Sequence, residues 1–167
     1  MPVLDQDTLD LISHSPAQTR RFGARLGLLL RAGDVVCLEG DLGTGKTRLA
    51  QGIGQGLGVV QPITSPTYTL IAEYWPPPPA PALYHIDLYR LDDAVDEALA
   101  FGLEDYLLGD GICVIEWAGR IRPILPETYL WIGLRHLDES KRGIMIKAHG
   151  LRYRALLEEF RQSAFGV

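Results

Sequence analysis

Residues 40–47 of this 167-residue chain read GDLGTGKT, and no other segment restricts the local fold as strongly. The segment has the pattern G-x-x-x-x-G-K-[ST], the P-loop, in which backbone N–H groups surround a phosphate group. Its three glycines allow backbone angles that a Cβ atom would forbid, so the chain can curve around an anion. Lys46 supplies a positive charge for the β- and γ-phosphates, and Thr47 supplies a hydroxyl group for Mg²⁺. The segment therefore predicts a nucleoside triphosphate site.

The flanking residues have the patterns of a strand and a helix. Residues 34–38 form a short apolar run typical of a buried strand. After the loop, Leu49, Ile53 and Leu57 recur on one face of a helical pattern. A phosphate-binding loop requires this order, because the N-terminal end of the helix adds partial positive charge. The alternative is a glycine-rich turn that binds nothing.

Length and composition favour one domain over residues 1–167. Hydrophobic residues make up 47% of the chain and charged residues 22%, as in ordinary soluble proteins. The net charge of −5 argues against a generic nucleic-acid binder. Cys37 and Cys113 lie in apolar runs and are expected to be buried, reduced thiols. We find neither a signal-peptide pattern nor an apolar run long enough to span a bilayer, and we expect a cytoplasmic location with no membrane contact.

The rest of the chain mixes helical and strand patterns. A first helix is predicted to begin after Ser15, a capping residue followed by Pro and Gln, and a last helix at Leu151. An acidic helical stretch is predicted between the strands at 83–89 and 111–116. The predicted further strands cover 67–74, 83–89, 111–116, 129–134 and 144–148.

These elements predict an α/β, P-loop NTPase-like fold of three layers, with helices flanking a mostly parallel central sheet. Residues 75–82 are rich in proline and are predicted to form a surface loop without regular structure. The helix after the P-loop is weakened by glycines, which allow either close packing or local opening. These glycines are Gly52, Gly54, Gly56 and Gly58.

Two acidic residues are candidates for the metal ion and the attacking water. Strand alternation places Asp87 on the same face as His85, and a carboxylate in an apolar strand is costly to bury unless it is paired or bound to a cation. Glu116 follows four apolar residues, which is the pattern of a Walker-B-like strand ending at the ligand edge of a sheet. The structural alternatives are an ion pair of Asp87 with Arg90 or Lys46, and an ordinary exposed strand end at Glu116.

Three weaker signals lie nearby. The segment 65–67 (SPT) follows the P-loop helix and forms either a switch-like loop that senses the γ-phosphate or a plain turn. Trp117 is either a wall of the phosphate site or a core side chain. His85 is interpreted as a packed strand histidine and not as a catalytic residue.

Four motifs taken together resemble the TsaE family, also called YjeE: GDLGTGKT, SPTYTL (65–70), HIDLYRL (85–91) and IEW (115–117). That family is the small ATPase subunit of the bacterial machinery that makes threonylcarbamoyladenosine on tRNA. The resemblance covers nearly the whole chain. It implies ATP and Mg²⁺ as cofactors, with the TsaD and TsaB subunits as partners. Residues 135–161 hold seven bases and four acids, which is compatible with weak or indirect tRNA contact, an acidic partner or a solvated face.

The resemblance also implies roles for individual residues. Lys46, Asp87 and Glu116 would be catalytic, and Thr47 would hold the metal ion together with Asp87 and Glu116. The implied nucleotide-binding residues are Gly40, Asp41, Leu42, Gly43, Thr44, Gly45, Lys46, Thr47, Thr67, Trp117, Arg142 and Thr19. The patterns leave open whether Asp87 or Glu116 positions the water. Thr44 stands where alanine is common in the family, and the proline-rich loop is unusual for it.

Two other functions are compatible with a P-loop. A small-molecule kinase would need an acceptor pocket, for which the chain leaves little room, and a non-catalytic nucleotide-gated binding module would not need hydrolysis. We expect the isolated chain to hydrolyse ATP slowly, because the motifs show no arginine finger.

Overall fold

Eight strands, five α-helices and one 3₁₀ helix make up the part of the chain that the computed structural model describes, residues 3–66 and 70–166. The strands are β1 (Val3–Asp5), β2 (Thr8–Ser13), β3 (Val35–Glu39), β4 (Ile71–Tyr74), β5 (Leu83–Asp87), β6 (Ile112–Glu116), β7 (Tyr129–His136) and β8 (Arg142–His149). The helices are α1 (Pro16–Gly27), α2 (Lys46–Leu57), α3 (Ala94–Ala100), α4 (Leu103–Leu107) and α5 (Leu151–Phe165), with the 3₁₀ helix η1 at Ala118–Ile124.

All eight strands form one sheet in the order β1-β2-β8-β7-β3-β6-β5-β4. The four central strands β7, β3, β6 and β5 run parallel to one another. At each edge the pairing is antiparallel, through β8, β2 and β1 on one side and β4 on the other. The parallel centre places the ends of β3, β5 and β6 at one edge of the sheet, where ligands bind in folds of this type.

Helices cover both faces of the sheet, which confirms the predicted three-layer α/β fold. On one face, Ile53 of α2 and Phe160 of α5 are buried against the sheet. On the other face, Leu103 of α4 and Ile121 of η1 are buried against its central strands. Because both faces of the two innermost strands are covered, β3 and β6 are continuous apolar runs that end in a glutamate.

Helices α1 and α2 pack unusually closely, backbone against backbone. A Cβ atom on Gly52 would lie 2.1 Å from the carbonyl oxygen of Arg20. A Cβ atom on Gly23 would lie 2.4 Å from the carbonyl oxygen of Leu49. Gly52 of α2 therefore serves close packing, one of the two roles that the sequence left open for the glycines of this helix.

Most predicted elements are present with shifted ends. Ser15 caps α1 as predicted, since its side chain accepts a hydrogen bond from the N–H of Gln18 at 3.0 Å. The acidic stretch divides into α3 and α4, and residues 75–82 have no regular structure. Part of the strand predicted over 67–74 is β4, while residues 67–69 lie outside the described part of the chain. Strand β2 was not predicted, because a short alternating segment shows its role only when it pairs with β8.

Candidate functional site

The P-loop connects the end of β3 to the start of α2, as its flanking patterns predicted. Gly40 has φ +151° and Gly45 has φ +103°, angles that favour glycine. A Cβ atom on Gly40 would also lie 2.4 Å from the carbonyl oxygen of Leu134 on β7. Thr44 is buried, and its hydroxyl group donates to the carbonyl oxygen of Asp41 at 2.8 Å. The threonine in place of alanine thus adds a hydrogen bond across the loop.

Lys46 lies inside this loop. Its Nζ atom donates to the carbonyl oxygens of Gly40, at 2.5 Å, and Asp41, at 3.0 Å. The same atom lies 4.1 Å from the ring centroid of Trp117. Burial lowers the pKa of the Lys46 ammonium group, and the negative charge of Glu116 partly opposes that effect. An ammonium group has three N–H donors, so one remains for a ligand.

Glu116 lies at the end of β6, beside the first turn of α2. The hydroxyl group of Thr47 is 3.0 Å from each of its carboxylate oxygens. Thr47 Oγ1 also lies 2.9 Å from the hydroxyl group of Ser65, which belongs to the predicted switch-like segment. Glu116 is only 3% exposed, which contradicts the alternative of an ordinary exposed strand end.

Asp87 lies beside Glu116, because the parallel register pairs the two residues across β5 and β6. Its carboxylate accepts the backbone N–H of Tyr89 at 3.0 Å. Burial raises the pKa of the Asp87 carboxyl group above its ordinary value, and the negative charge of Glu116 raises it further. None of the ion pairs formed within residues 3–66 and 70–166 includes Asp87, so the predicted alternatives with Arg90 and Lys46 are not observed.

These side chains line a cavity of about 410 Å³. Eight of the residues predicted for the site contribute to its walls: Leu42, Gly43, Gly45, Lys46, Thr47, Asp87, Glu116 and Trp117. Arg48 and Arg90 also line it, and both side chains are exposed. Sequence analysis considered Arg90 only as an ion-pair partner of Asp87 and did not single out Arg48, although both stand inside or next to the quoted motifs. Both line the cavity, whereas the motifs alone had indicated no arginine finger.

Other predicted residues lie away from the cavity. Thr19 is 2% exposed, and its hydroxyl oxygen is 2.7 Å from that of Ser13. A Cβ atom on Gly45 would lie 3.8 Å from the methyl carbon of Thr19, so Thr19 packs near the loop without lining the cavity. Arg142 reaches the outer side of the loop, where its Nη2 atom donates to the carbonyl oxygen of Gly43 at 3.3 Å. Thr67 lies outside the described residues, and its predicted role stays a prediction.

Trp117 has a backbone conformation that is rare for a bulky residue, with φ 63° and ψ 37°. Its N–H group donates to the carbonyl oxygen of Leu38 at 3.0 Å. Two residues further on, the N–H group of Gly119 donates to the Glu39 carboxylate at 2.6 Å. The Trp117 ring lies 4.9 Å from that of Tyr89 and forms part of the cavity wall.

His85 has a closer relation to the site than its sequence pattern indicated. Its Nε2 atom lies 2.6 Å from a carboxylate oxygen of Glu116, and the side chain is fully buried. The sequence pattern predicted a packed histidine, and its burial confirms this. The contact with Glu116 was not predicted. The one signal in the sequence is its position two residues before Asp87 on the same strand face.

The oxygen atoms of Thr47, Glu116 and Asp87 fit a magnesium ion. Mg²⁺ prefers oxygen ligands and is usually held by one or two carboxylates, several waters and the phosphates of a substrate. Within the described ranges, no group of three or more His, Cys, Asp or Glu residues could hold a metal ion. The donor set therefore suits an ion that arrives with a polyphosphate better than a permanently bound metal.

The sheet order, the P-loop between β3 and α2, and the paired strand-end carboxylates define the chain as a protein of the P-loop NTPase-like class. A family model described as "Threonylcarbamoyl adenosine biosynthesis protein TsaE" matches residues 13–144. The chain belongs to the TsaE family.

Comparisons with individual proteins support the same family. The chain is 38% identical to a tRNA threonylcarbamoyladenosine biosynthesis protein TsaE of Bacillus subtilis over 145 residues, 87% of this chain and 89% of the relative. It is 44% identical to the protein of the same name in Nostoc over 147 residues, 83% of this chain and 88% of the relative. The crystal structure of YdiB from Bacillus subtilis superposes with a TM-score of 0.77 at 35% identity, covering 93% of this chain and 95% of that chain. Of the helices in the described segments, none has the length and apolar character needed to cross a bilayer.

Proposed function

We propose that this chain is a Mg²⁺-dependent ATP-hydrolysing subunit required to form the threonylcarbamoyl group on adenosine 37 of tRNAs, acting on an assembly of TsaB and TsaD. One observation carries this proposal. The Thr47 hydroxyl group lies 3.0 Å from both carboxylate oxygens of Glu116, directly beside the P-loop. A hydroxyl group and a carboxylate in contact at the start of a P-loop helix are the protein groups that Mg·ATP hydrolysis requires.

The triphosphate would lie along the loop, with its negative charge at the N-terminal end of α2. Backbone N–H groups and the partial positive charge of that helix end favour an anion there. Lys46 is already held in the loop by two carbonyl oxygens, so little of its side-chain freedom is lost when phosphate binds. Burial of this cation strengthens its interaction with phosphate.

Thr47, Glu116 and Asp87 would hold the magnesium ion. When bound, the ion would neutralise charge on the phosphate oxygens. The raised pKa of Asp87 supports this role, because the cause is burial beside a second carboxylate, a position in which a cation is favourable.

Of the two carboxylates that would hold the ion, we assign the positioning of the attacking water to Glu116, so that Asp87 would act on the metal ion alone. Thr47 and His85 both contact the Glu116 carboxylate, so its orientation is set before any ligand binds. A group that positions a nucleophile must be held in one geometry, because small displacements are costly to the rate. Asp87 is half-buried, whereas Glu116 is only 3% exposed, and a less enclosed carboxylate suits a ligand that adjusts to an ion.

Arg48 and Arg90 explain why hydrolysis would depend on partners. Both line the cavity, yet within the described part of the chain neither side chain forms an ion pair or a hydrogen bond. A cation stabilises a transition state well only when it is preorganised. A partner that fixed one of these exposed side chains over the phosphates would supply the missing positive charge.

The test is an ATPase assay of the chain alone, with TsaB and TsaD, and with or without tRNA. We expect slow turnover alone and faster turnover with the partners. Fast turnover that the partners leave unchanged would contradict the coupling. Phosphate transfer to a metabolite would instead indicate a kinase. Glu116→Ala or Asp87→Ala variants that lose hydrolysis but still support tRNA modification would indicate a nucleotide-gated binding module.

A further inference from the structure

His85 and Glu116 form a buried pair on adjacent parallel strands. Nε2 of His85 lies 2.6 Å from Oε2 of Glu116, with the histidine fully buried and Glu116 3% exposed. The histidine does not line the cavity described above, so it does not touch a ligand there. The hydrogen bond to the Glu116 carboxylate is therefore the direct contact through which His85 can act on chemistry in the cavity.

The other ring nitrogen of His85 indicates which nitrogen carries the proton. Nδ1 is buried and has no hydrogen-bond partner within residues 3–66 and 70–166. An N–H group at Nδ1 would be a buried donor without an acceptor, which is costly. An ionised carboxylate can only accept, so the ring satisfies the pair when its proton is on Nε2. The ring then acts as a donor aimed at one oxygen of Glu116.

The two contacts of Glu116 are not equivalent. Thr47 Oγ1 is 3.0 Å from both carboxylate oxygens, whereas His85 contacts Oε2 alone. If the Thr47 hydroxyl group turned to a bound metal ion, the hydrogen bond from His85 would still hold the carboxylate plane. Oε1 would then be the oxygen available to the cavity.

We propose that His85 is a positioning residue for ATP hydrolysis, which fixes the orientation of Glu116 through the Nε2–H···Oε2 hydrogen bond. This inference rests on the proposed function. A positioning role for His85 differs from a merely structural one in its effect on the variants. Removal of the donor should impair turnover and leave nucleotide binding and the fold almost unchanged. Partners that orient a reacting or metal-ligating group typically contribute about 10- to 100-fold in activity.

The test compares His85→Leu, which removes the donor at similar volume, with His85→Gln, whose amide N–H₂ can reach the same oxygen. Single-turnover ATP hydrolysis, Mg·ATP affinity by calorimetry and the melting temperature are measured for each. We expect His85→Leu to slow hydrolysis about 10- to 100-fold with nearly unchanged affinity, and His85→Gln to recover most of the rate. His14→Leu is the control, because that histidine is exposed and lies outside the site.

A second measurement needs neither nucleotide nor activity. Long-range ¹H–¹⁵N spectra of the ¹⁵N-histidine-labelled, nucleotide-free protein should show the His85 proton on Nε2, with a signal that moves in Glu116→Gln. A proton on Nδ1 would overturn the proposal even if His85→Leu did not fold. Unchanged hydrolysis in a folded His85→Leu variant would also overturn the proposal. So would equal losses of affinity, rate and stability in His85→Leu that His85→Gln does not recover. Unchanged Mg·ATP affinity in Lys46→Ala would instead count against the proposed function.

Discussion

The ammonium nitrogen of Lys46 lies 4.1 Å from the ring centroid of Trp117. This contact joins the P-loop to the residue that follows the end of β6. A cation over a tryptophan ring gains about 0.5–2 kcal/mol. The left-handed backbone of Trp117 costs on the order of 1–3 kcal/mol, and backbone strain of this kind is typical of ligand sites. The two predicted parts of the site are thus held together before any ligand binds.

Replacement of Lys46 by alanine should weaken Mg·ATP binding. The variant loses a buried cation aimed into the loop, and hydrogen bonds to charged groups contribute about 1.5–3 kcal/mol, which corresponds to about 10- to 100-fold in affinity. Calorimetric titration measures the change. Lys147→Ala is the matched control, because Lys147 is exposed on β8. Equal affinities for the wild type and Lys46→Ala would contradict the assignment of the P-loop.

Tryptophan fluorescence should report nucleotide binding through Trp117. Its ring is part of the cavity wall, so a bound triphosphate changes its surroundings. The fluorescence change on addition of Mg·ATP should vanish in Trp117→Phe. It should persist in Trp75→Phe, because Trp75 is 66% exposed and belongs to the proline-rich loop. A full response in Trp117→Phe would place the ligand elsewhere.

Removal of the Thr47 hydroxyl group should reduce the effect of magnesium on nucleotide affinity. Thr47→Val keeps the shape of the side chain but offers no oxygen to a cation. Because Glu116 and Asp87 would still hold the ion, we expect Mg²⁺ to raise the ATP affinity of Thr47→Val less than that of the wild type, and Thr47→Ser to restore the full difference. Calorimetry with Mg²⁺ and with a chelator tests this. A Thr47→Val variant whose magnesium dependence equals that of the wild type would show that Thr47 is not a ligand.

Gly52→Ala should destabilise the fold despite the higher helix propensity of alanine. Alanine is more favourable than glycine by about 1 kcal/mol in a helix interior. The added Cβ atom, however, would lie 2.1 Å from the carbonyl oxygen of Arg20. This oxygen belongs to the backbone and cannot rotate away as the end of a side chain could. Overpacking of this kind costs about 1–3 kcal/mol or more, so the clash exceeds the gain.

Urea unfolding measures the difference in free energy of unfolding. The control is Gly133→Ala in β7, where a Cβ atom would meet nothing within 4 Å. That variant should be as stable as the wild type. A Gly52→Ala variant of unchanged stability would show that α1 and α2 can separate at little cost.

Tyr153 should make the fold sensitive to alkaline pH. Its buried hydroxyl oxygen accepts the N–H of Val35 at 2.8 Å, and burial raises its pKa from 10.0 to about 12. The folded state therefore keeps the phenolic proton where the unfolded state loses it. This stabilisation is complete below about pH 10 and is lost as the pH rises through about 12.

The comparison of wild type with Tyr153→Phe isolates this effect. Phenylalanine does not titrate, but it leaves the Val35 N–H without a partner, at a cost of about 1–3 kcal/mol. The stability advantage of the wild type over the variant should shrink by on the order of 2 kcal/mol between pH 10 and about pH 12. Urea unfolding of both proteins across this range measures it. Cys113, whose pKa is also raised to about 12, affects both proteins equally. A constant difference would contradict the assignment.

Local patterns in the sequence determined the P-loop, the cap of α1, the apolar strands and the acid at the end of β6. These features depend on backbone angles, side-chain alternation and capping, which neighbouring residues decide. The family resemblance also rested on such short motifs, and the family is confirmed.

Only the tertiary structure decided which distant groups meet. His85 contacts Glu116 because β5 and β6 are parallel neighbours, and the sequence carries no direct sign of that pairing. The exposed Arg48 and Arg90 enter the cavity wall for the same reason, since two separate segments converge at one edge of the sheet. Contacts between residues far apart in sequence depend on strand order and register. These are properties of the whole packed chain, because burial of both sheet faces selects one arrangement among many that local patterns allow.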